Sequence, residues 1–420
     1  MSLDPAIIRS QFPSLDRPAI FFDNPGGSQI ARPSLDRITR YLLECNANHE
    51  GAFATSIASD AILEAAHAAM ADFYNAASPE EIIFGNNMTT LTLHISRSIS
   101  RGWRAGDEIV VTRLDHDANV TPWVLAAQDR GVKVNWVDFN IEDGTLNLDD
   151  LQKALERKPR LLAIGYASNA LGTINPIAKI TRMAHEAGAL VYVDAVQYAP
   201  HGPIDVQRIG CDFLVTSSYK FFGPHAGILY GRHDLLENLF AYKVRPAPNH
   251  LPGKFETGTQ NHEGIAGVLG AIEYFEWLGK KFGDRYADSL AENGYQGRRM
   301  ELKKALIAIR AYEYELSRAL LSTLQSVPGL TLFGLTDSRR LDDRVPTFAF
   351  RLKDLPPRLV AEKLAQKGIY VWDGNYYAIN VTERLGVEES GGMVRVGAAH
   401  YNTIEEVERL KAALLEMATG

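Results

Sequence analysis

Between residues 108 and 222 short unbroken apolar runs alternate with amphipathic stretches. EIVVT, KVNWVDF, LLAIG, LVYVD and FLVTSS are the apolar runs, and PWVLAAQDRG, LDDLQKALERK and IAKITRMAHEAG carry apolar residues at helical spacing. Runs of this length without polar alternation predict strands buried on both faces, so the combination predicts an α/β fold with a largely parallel, doubly covered sheet. In such sheets the reactive crevice lies beyond the carboxyl ends of the strands. Upstream, AIFFDNPGG reads as a short strand running into a turn, SDAILEAAHAAMADFYN as a helix, IIFG as a strand, and MTTLTLHISRSIS as a helix starting between Met88 and Thr90. Further on, a long charged helical region runs through YEYELSRALLSTLQ. TFAFRL, GIYVWDG and MVRVGAAH then read as strands, beside the helical LPPRLVAEKLAQKG and TIEEVERLKAALLEM. This predicts a large domain over residues 31–280, a smaller α+β domain over 281–420, and a segment 1–30 that crosses back onto the smaller one.

A chain of 420 residues exceeds the size at which one core usually stops growing, which agrees with two domains. Hydrophobic residues at 46% and charged residues at 23% make a globular mixture rather than a disordered one. The balance of 44 Lys plus Arg against 51 Asp plus Glu gives a net charge of -7 with no long basic run, which argues against nucleic acid as a partner. No apolar stretch is long enough to cross a bilayer, and MSLDPAIIRSQFPSL lacks the apolar core of a secretion signal, so the expected compartment is the cytoplasm. Cys45 and Cys211 are too isolated for a disulfide framework or a cysteine metal site, and no metal is expected. GxGxxG and GxxxxGK[ST] do not occur, which weakens a nucleotide-dependent reading.

The strongest local pair is Asp194, closing LVYVD, and Lys220, in the turn SSYKFFG after the next strand. Two charged residues at adjacent strand ends can face one crevice; a helix-capping aspartate and a solvent-facing lysine are the plain alternative. His116, in LDHDAN, is a titratable group near neutrality or simply a turn histidine. Thr89 and Thr90 open a predicted helix, where hydroxyls and backbone N–H groups bind a dianion, although an ordinary cap explains them too. Arg395 can grip a carboxylate bidentately or close a strand-edge salt bridge.

Taken in order, DNPGGSQ, MTTLTLHIS, LDHDANVTPW, SNALGTINP, VDAVQ, SSYKFFGPHAG and FETGTQN resemble the class V aminotransferase family of fold-type I pyridoxal-phosphate enzymes, and especially its cysteine desulfurase branch. The resemblance covers residues 20–410. It implies a mostly parallel seven-stranded sheet in the large domain, pyridoxal 5'-phosphate as cofactor, a small amino acid as substrate, and a homodimer with sites at the subunit interface. It further implies that Lys220 holds the cofactor as a Schiff base, Asp194 partners the pyridine nitrogen, Gln197 binds the ring hydroxyl and His116 stacks on the ring. By the same resemblance Thr89, Thr90 and Ser217 contact the phosphate, and Thr259 does so across the dimer. Tyr219 stands where the usual branch has a histidine, Asn169 lies near cofactor and substrate, and Arg395 holds the substrate carboxylate.

The resemblance breaks in VWDGNYYAIN. Gly374 aligns with the branch's loop glycine, but Tyr377 stands at the position of the sulfur-accepting cysteine and Trp372 at that of an arginine. A phenol cannot store transferable persulfide sulfur. The implied activity is therefore an amino-acid lyase or transferase: elimination at sulfur without an enzyme persulfide, or amino-group transfer. Epimerisation and a non-catalytic cofactor-binding protein stay open as alternatives.

Overall fold

A computed structural model describes residues 3–419. Seven strands form the large sheet: β2 (Ile82–Gly85), β3 (Glu108–Thr112), β4 (Lys133–Val137), β5 (Leu161–Gly165), β6 (Leu190–Asp194), β7 (Phe213–Ser217) and β8 (Gly227–Gly231). Their order is β2-β8-β7-β6-β5-β3-β4, and only β8 runs against its neighbours. Every residue of β5, β7 and β8 is buried, which is why these segments read as continuous apolar runs. Two apolar clusters sandwich the sheet. One holds Val110, Leu162, Val193 and Leu214, the other Ile109, Ala163, Tyr192 and Val215, so alternate residues of the same strands supply opposite faces.

The carboxyl ends of β2, β3, β5, β6 and β7 share one edge, where β8 begins. Gly227 occupies that corner because a Cβ there would lie 2.4 Å from the carbonyl carbon of Asn87. The close approach seats the N-terminus of the helix Met88–Ser100 against the end of β7, and the Met88 N–H donates to Ser217 Oγ at 2.9 Å.

The second sheet is antiparallel, with order β12-β13-β10-β9, built from β9 (Leu330–Phe333), β10 (Thr347–Leu352), β12 (Trp372–Gly374) and β13 (Met393–Gly397). GIYVWDG, which reads as one strand in the sequence, splits at Val371. Ile369 and Tyr370 form β11, parallel to β1 (Ile20–Phe21), while Trp372 onwards joins β13. Ile20 and Phe22 enter the core under the small sheet, whereas Ile8 and Phe12 pack with Phe222 and Tyr274 in the core of the large one. The helix Gly297–Gln325 serves both cores, with Leu302, Leu306 and Ile309 in the first and Leu316, Leu320 and Leu324 in the second.

Candidate active site

Asp194 ends β6 and Lys220 closes the short turn Ser218–Lys220 after β7. The turn is clamped by the Ser218 N–H on Ala226 O at 2.8 Å and by the Ser218 hydroxyl on Pro224 O. Lys220 Nζ donates to the carbonyl of Pro25, in the turn after β1. Burial, reinforced by the Arg395 charge and opposed by Asp194 and Asp23, pushes the Lys220 amine down to about 7. Burial pushes Asp194 up to about 6, against the Val196 N–H on its Oδ1 at 2.9 Å and the Lys220 charge. The two groups therefore feel each other, as their places on adjacent strands predict.

His116 follows β3, and its Nδ1 accepts from the Ala118 N–H at 3.0 Å, which leaves Nε2 as the protonated nitrogen of the neutral ring. Burial and the charges of Lys220 and Arg395 hold it down at about 4. Its ring lies 5.6 Å from that of Tyr377, the planes 12° apart. Arg395, on β13, is 3% exposed and sits with its guanidinium carbon 4.4 Å from the centre of the Tyr376 ring. Arg395 Nη1 donates to Asn169 O at 2.9 Å, and Asn169 Nδ2 donates to Tyr376 O at 2.8 Å. Arg395 Nε, Asn169 Oδ1 and Asp23 Oδ1 are buried without a hydrogen-bond partner among the described residues. Asp23 and Arg395 both act on the Lys220 charge and Asn169 is bonded to Arg395, so these open valences gather at one place that suits a polar ligand.

The remaining sequence-derived positions fall into two groups. Ser217, Tyr219 and Gln197 join the cluster. Tyr219 is half-buried, its ring 4.9 Å from Lys220 Nζ and stacked on His225 at 4.7 Å. Gln197 Nε2 donates to Thr347 Oγ1 at 3.1 Å. Thr89 and Thr90 lie exposed in the first turn of the helix Met88–Ser100, where Asn87 Oδ1 caps the Thr90 N–H at 2.9 Å. Thr259 stands apart, exposed in the turn before the helix His262–Phe282 and hydrogen-bonded to none of these residues.

Three participants escape a sequence reading. Asp23 feels both Arg395 and Lys220, and burial raises it. Asp115 is raised by burial, with a contribution from Asp194, to about 7. Tyr376, buried and bonded through its hydroxyl to Met393 O, supports both Arg395 and Asn169. Asp23 and Asp115 do lie inside DNPGGSQ and LDHDAN, the only local signal for them.

An aminotransferase class-V model matches residues 20–301 and 298–410. A cysteine desulfurase of Synechococcus elongatus is 32% identical over 98% of this chain, which spans 63% of that protein's length. An aminotransferase-like protein of Gibberella zeae is 33% identical, covering 97% of this chain and 96% of its own. Among solved structures, the apo cysteine desulfurase of Thermococcus onnurineus superposes over 100% of both chains with a TM-score of 0.88 at 26% identity. A cysteine desulfurase of Escherichia coli, at 27% identity, also covers 100% of both chains, with a TM-score of 0.82. The chain belongs to the aminotransferase class-V family, and that membership implies dependence on pyridoxal phosphate.

Proposed function

We propose that the protein acts on the amino group of a small amino acid, as a lyase or transferase that forms no persulfide on itself. The observation that carries this reading is Lys220, an amine held near 7 between Asp194 and Arg395 at the open end of the large sheet. The residues present fit pyridoxal phosphate. The helix Met88–Ser100 presents its N-terminus to a phosphate through the N–H and hydroxyl of Thr89, with Ser217 beside them and Thr90 joining by exchanging its bonds to Asn87, and the orphaned Asn169 Oδ1 and Arg395 Nε fit polar partners. Asp194 would pair with the pyridine nitrogen, Gln197 and Asn169 would serve the ring oxygen, and His116 would cover the ring face.

When bound, the cofactor supplies an electron sink for the substrate's α-carbon. Arg395 grips the substrate carboxylate and fixes which bond at that carbon is presented. Lys220 Nζ, mostly neutral above pH 7, takes the α-proton and returns it. His116, neutral near pH 7, adds no positive charge that would compete with Asp194. Elimination and amino-group transfer begin with these same residues.

Neither thiol is placed to accept sulfur. Cys45 is 4% exposed and Cys211 1%, and burial raises both. Tyr377 is 75% exposed beside His116, at the mouth of the site. Borohydride reduction of the holoenzyme followed by peptide mass spectrometry should place the cofactor on Lys220; a label on another lysine sinks the assignment. Incubation with cysteine and with keto acids should release pyruvate, sulfide or a new amino acid. A persulfide on Cys45 or Cys211 that disappears together with activity in the serine variant would overturn the persulfide-free reading.

The exposed apolar side chains of Leu43, Phe53, Ile57 and Val244 support a homodimer, in which Thr259 of each copy would reach the other's phosphate. Sedimentation should show a dimer, and a fully active monomer would refute this.

A further inference from the structure

We propose that His201 and Glu313 form a proton relay joining the Lys220 amine to solvent through the back of the site. The proposal rests on the reading of Lys220 as the group that carries the substrate proton.

His201 lies in the loop after β6 and is 6% exposed; Glu313, on the helix Gly297–Gln325, is 2% exposed. His201 Nδ1 and Glu313 Oε2 are 2.8 Å apart, and Glu313 Oε1 is buried with no partner among the described residues. A buried hydrogen-bonded pair that leaves a carboxyl oxygen unsatisfied is a poor device for stability alone. Its placement gives it another use, because His201 lines two small cavities. The first, about 10 Å³, lies between His201, Gln197 and Lys220 and is the size of a single water site. The second, about 20 Å³, is lined by His201, Glu313, Arg310, Tyr314 and Asp342, and Asp342 is exposed. Gln197 Oε1 and His201 Nε2 make no hydrogen bond among the described residues, so together with Lys220 Nζ they provide the polar partners a water needs in the first cavity.

The charged and titratable groups facing the pair are Arg310 and Tyr314 on the same helix, Asp342 and Arg344 around the second cavity, Lys220 across the first, and Tyr274, Tyr312, Tyr401 and His400. Burial raises Glu313 and His201 opposes it, which brings the carboxyl closer to a range where it can both take and give a proton. A proton leaving the Lys220 ammonium would pass to the cavity water, whose own proton moves to His201 Nε2. His201 Nδ1–H then passes to Glu313, which discharges through the second cavity, and reversing these moves recharges the amine. No charge is created or consumed. With the front of the site covered by cofactor and substrate, this path keeps Lys220 in exchange with solvent.

The test is the relaxation of the holoenzyme's cofactor absorbance after a small temperature-driven pH jump, read with a saturating α-methyl amino acid that cannot lose an α-proton, so that Lys220 is a free amine and the front of the site is covered. His201→Phe and Glu313→Gln should each slow it by at least ~10-fold at unchanged cofactor content. His201→Gly should be rescued by added imidazoles in the order of their pKa values, which a mere space-filling role would not produce. If one variant fails to fold, the other decides. An unchanged relaxation in a folded variant, or rescue that ignores pKa, overturns the relay. Borohydride labelling before the amino acid is added separates the cases: a label on Lys220 with unchanged relaxation defeats only the relay, whereas a label elsewhere defeats the Lys220 assignment.

Discussion

The two walls of the site are built on opposite plans. The ends of β6 and β7 place Asp194 and Ser217 on strands buried except at Leu190, with Lys220 in the turn just beyond β7 and the register fixed by Asp194 opposite Val215. Facing them, the stretch from Trp372 to Tyr377 includes exposed Trp372 and Tyr377, and Gly374, Tyr376 and Tyr377 all have positive φ, of 109°, 57° and 59°. Only glycine adopts such angles without strain, so the two tyrosines hold them because their surroundings insist. Asn169 binding Tyr376 O, and the Asp117 N–H on Tyr377 O at 2.7 Å, are the insisting contacts. In the proposed reading the rigid wall would carry the cofactor's lysine, and the strained wall would shape the substrate side.

The sharpest break in this contrast lies at Arg395, which belongs to neither wall but reaches both. Arg395→Leu should lower kcat/KM by roughly 10²-fold or more through lost carboxylate binding, and Arg395→Lys should recover little, because a point charge cannot replace the fork. Steady-state kinetics check this; a loss confined to stability, with normal kinetics in the folded fraction, would remove Arg395 from substrate binding.

A smaller effect sharpens the rigid side. With its amine near 7, Lys220 loses its proton as pH rises through that value, so covalent cofactor attachment to the apo-protein should accelerate with pH and level off above about 7. A profile still rising toward the ordinary lysine value, about 10.4, would show that burial does not control the amine.

The smallest effect belongs to the strained wall. Tyr377→Ala should change thermal stability by no more than about 0.5 kcal/mol, since the ring is 75% exposed. The same change should shift the ratio of elimination to transfer products from a panel of amino acids. An unchanged product ratio would detach the loop from specificity.

Most of the large sheet is legible in the chain because full burial leaves an unbroken apolar signature. GILYG is not legible as β8 because it follows directly on the GPHAG turn, nor LTLF as β9, because an edge strand only half covered carries a weak pattern. The site divides the same way. Asp194 and Lys220 stand out because strand ends are predictable, whereas Asp23 and Asp115 acquire their character from burial and from partners distant in sequence. Asp23 meets Lys220 and Arg395 only after the chain has folded back. No local pattern encodes such a meeting.

Gly397 bears on Lys220 and on Arg395 at once. A methyl group in place of its hydrogen would lie 2.1 Å from Pro25, the residue whose carbonyl receives Lys220. Two positions earlier on the same strand stands Arg395. One missing carbon thus works as a gauge block between the turn that holds Lys220 and the strand that holds Arg395, and their spacing is set by how closely two backbones can touch.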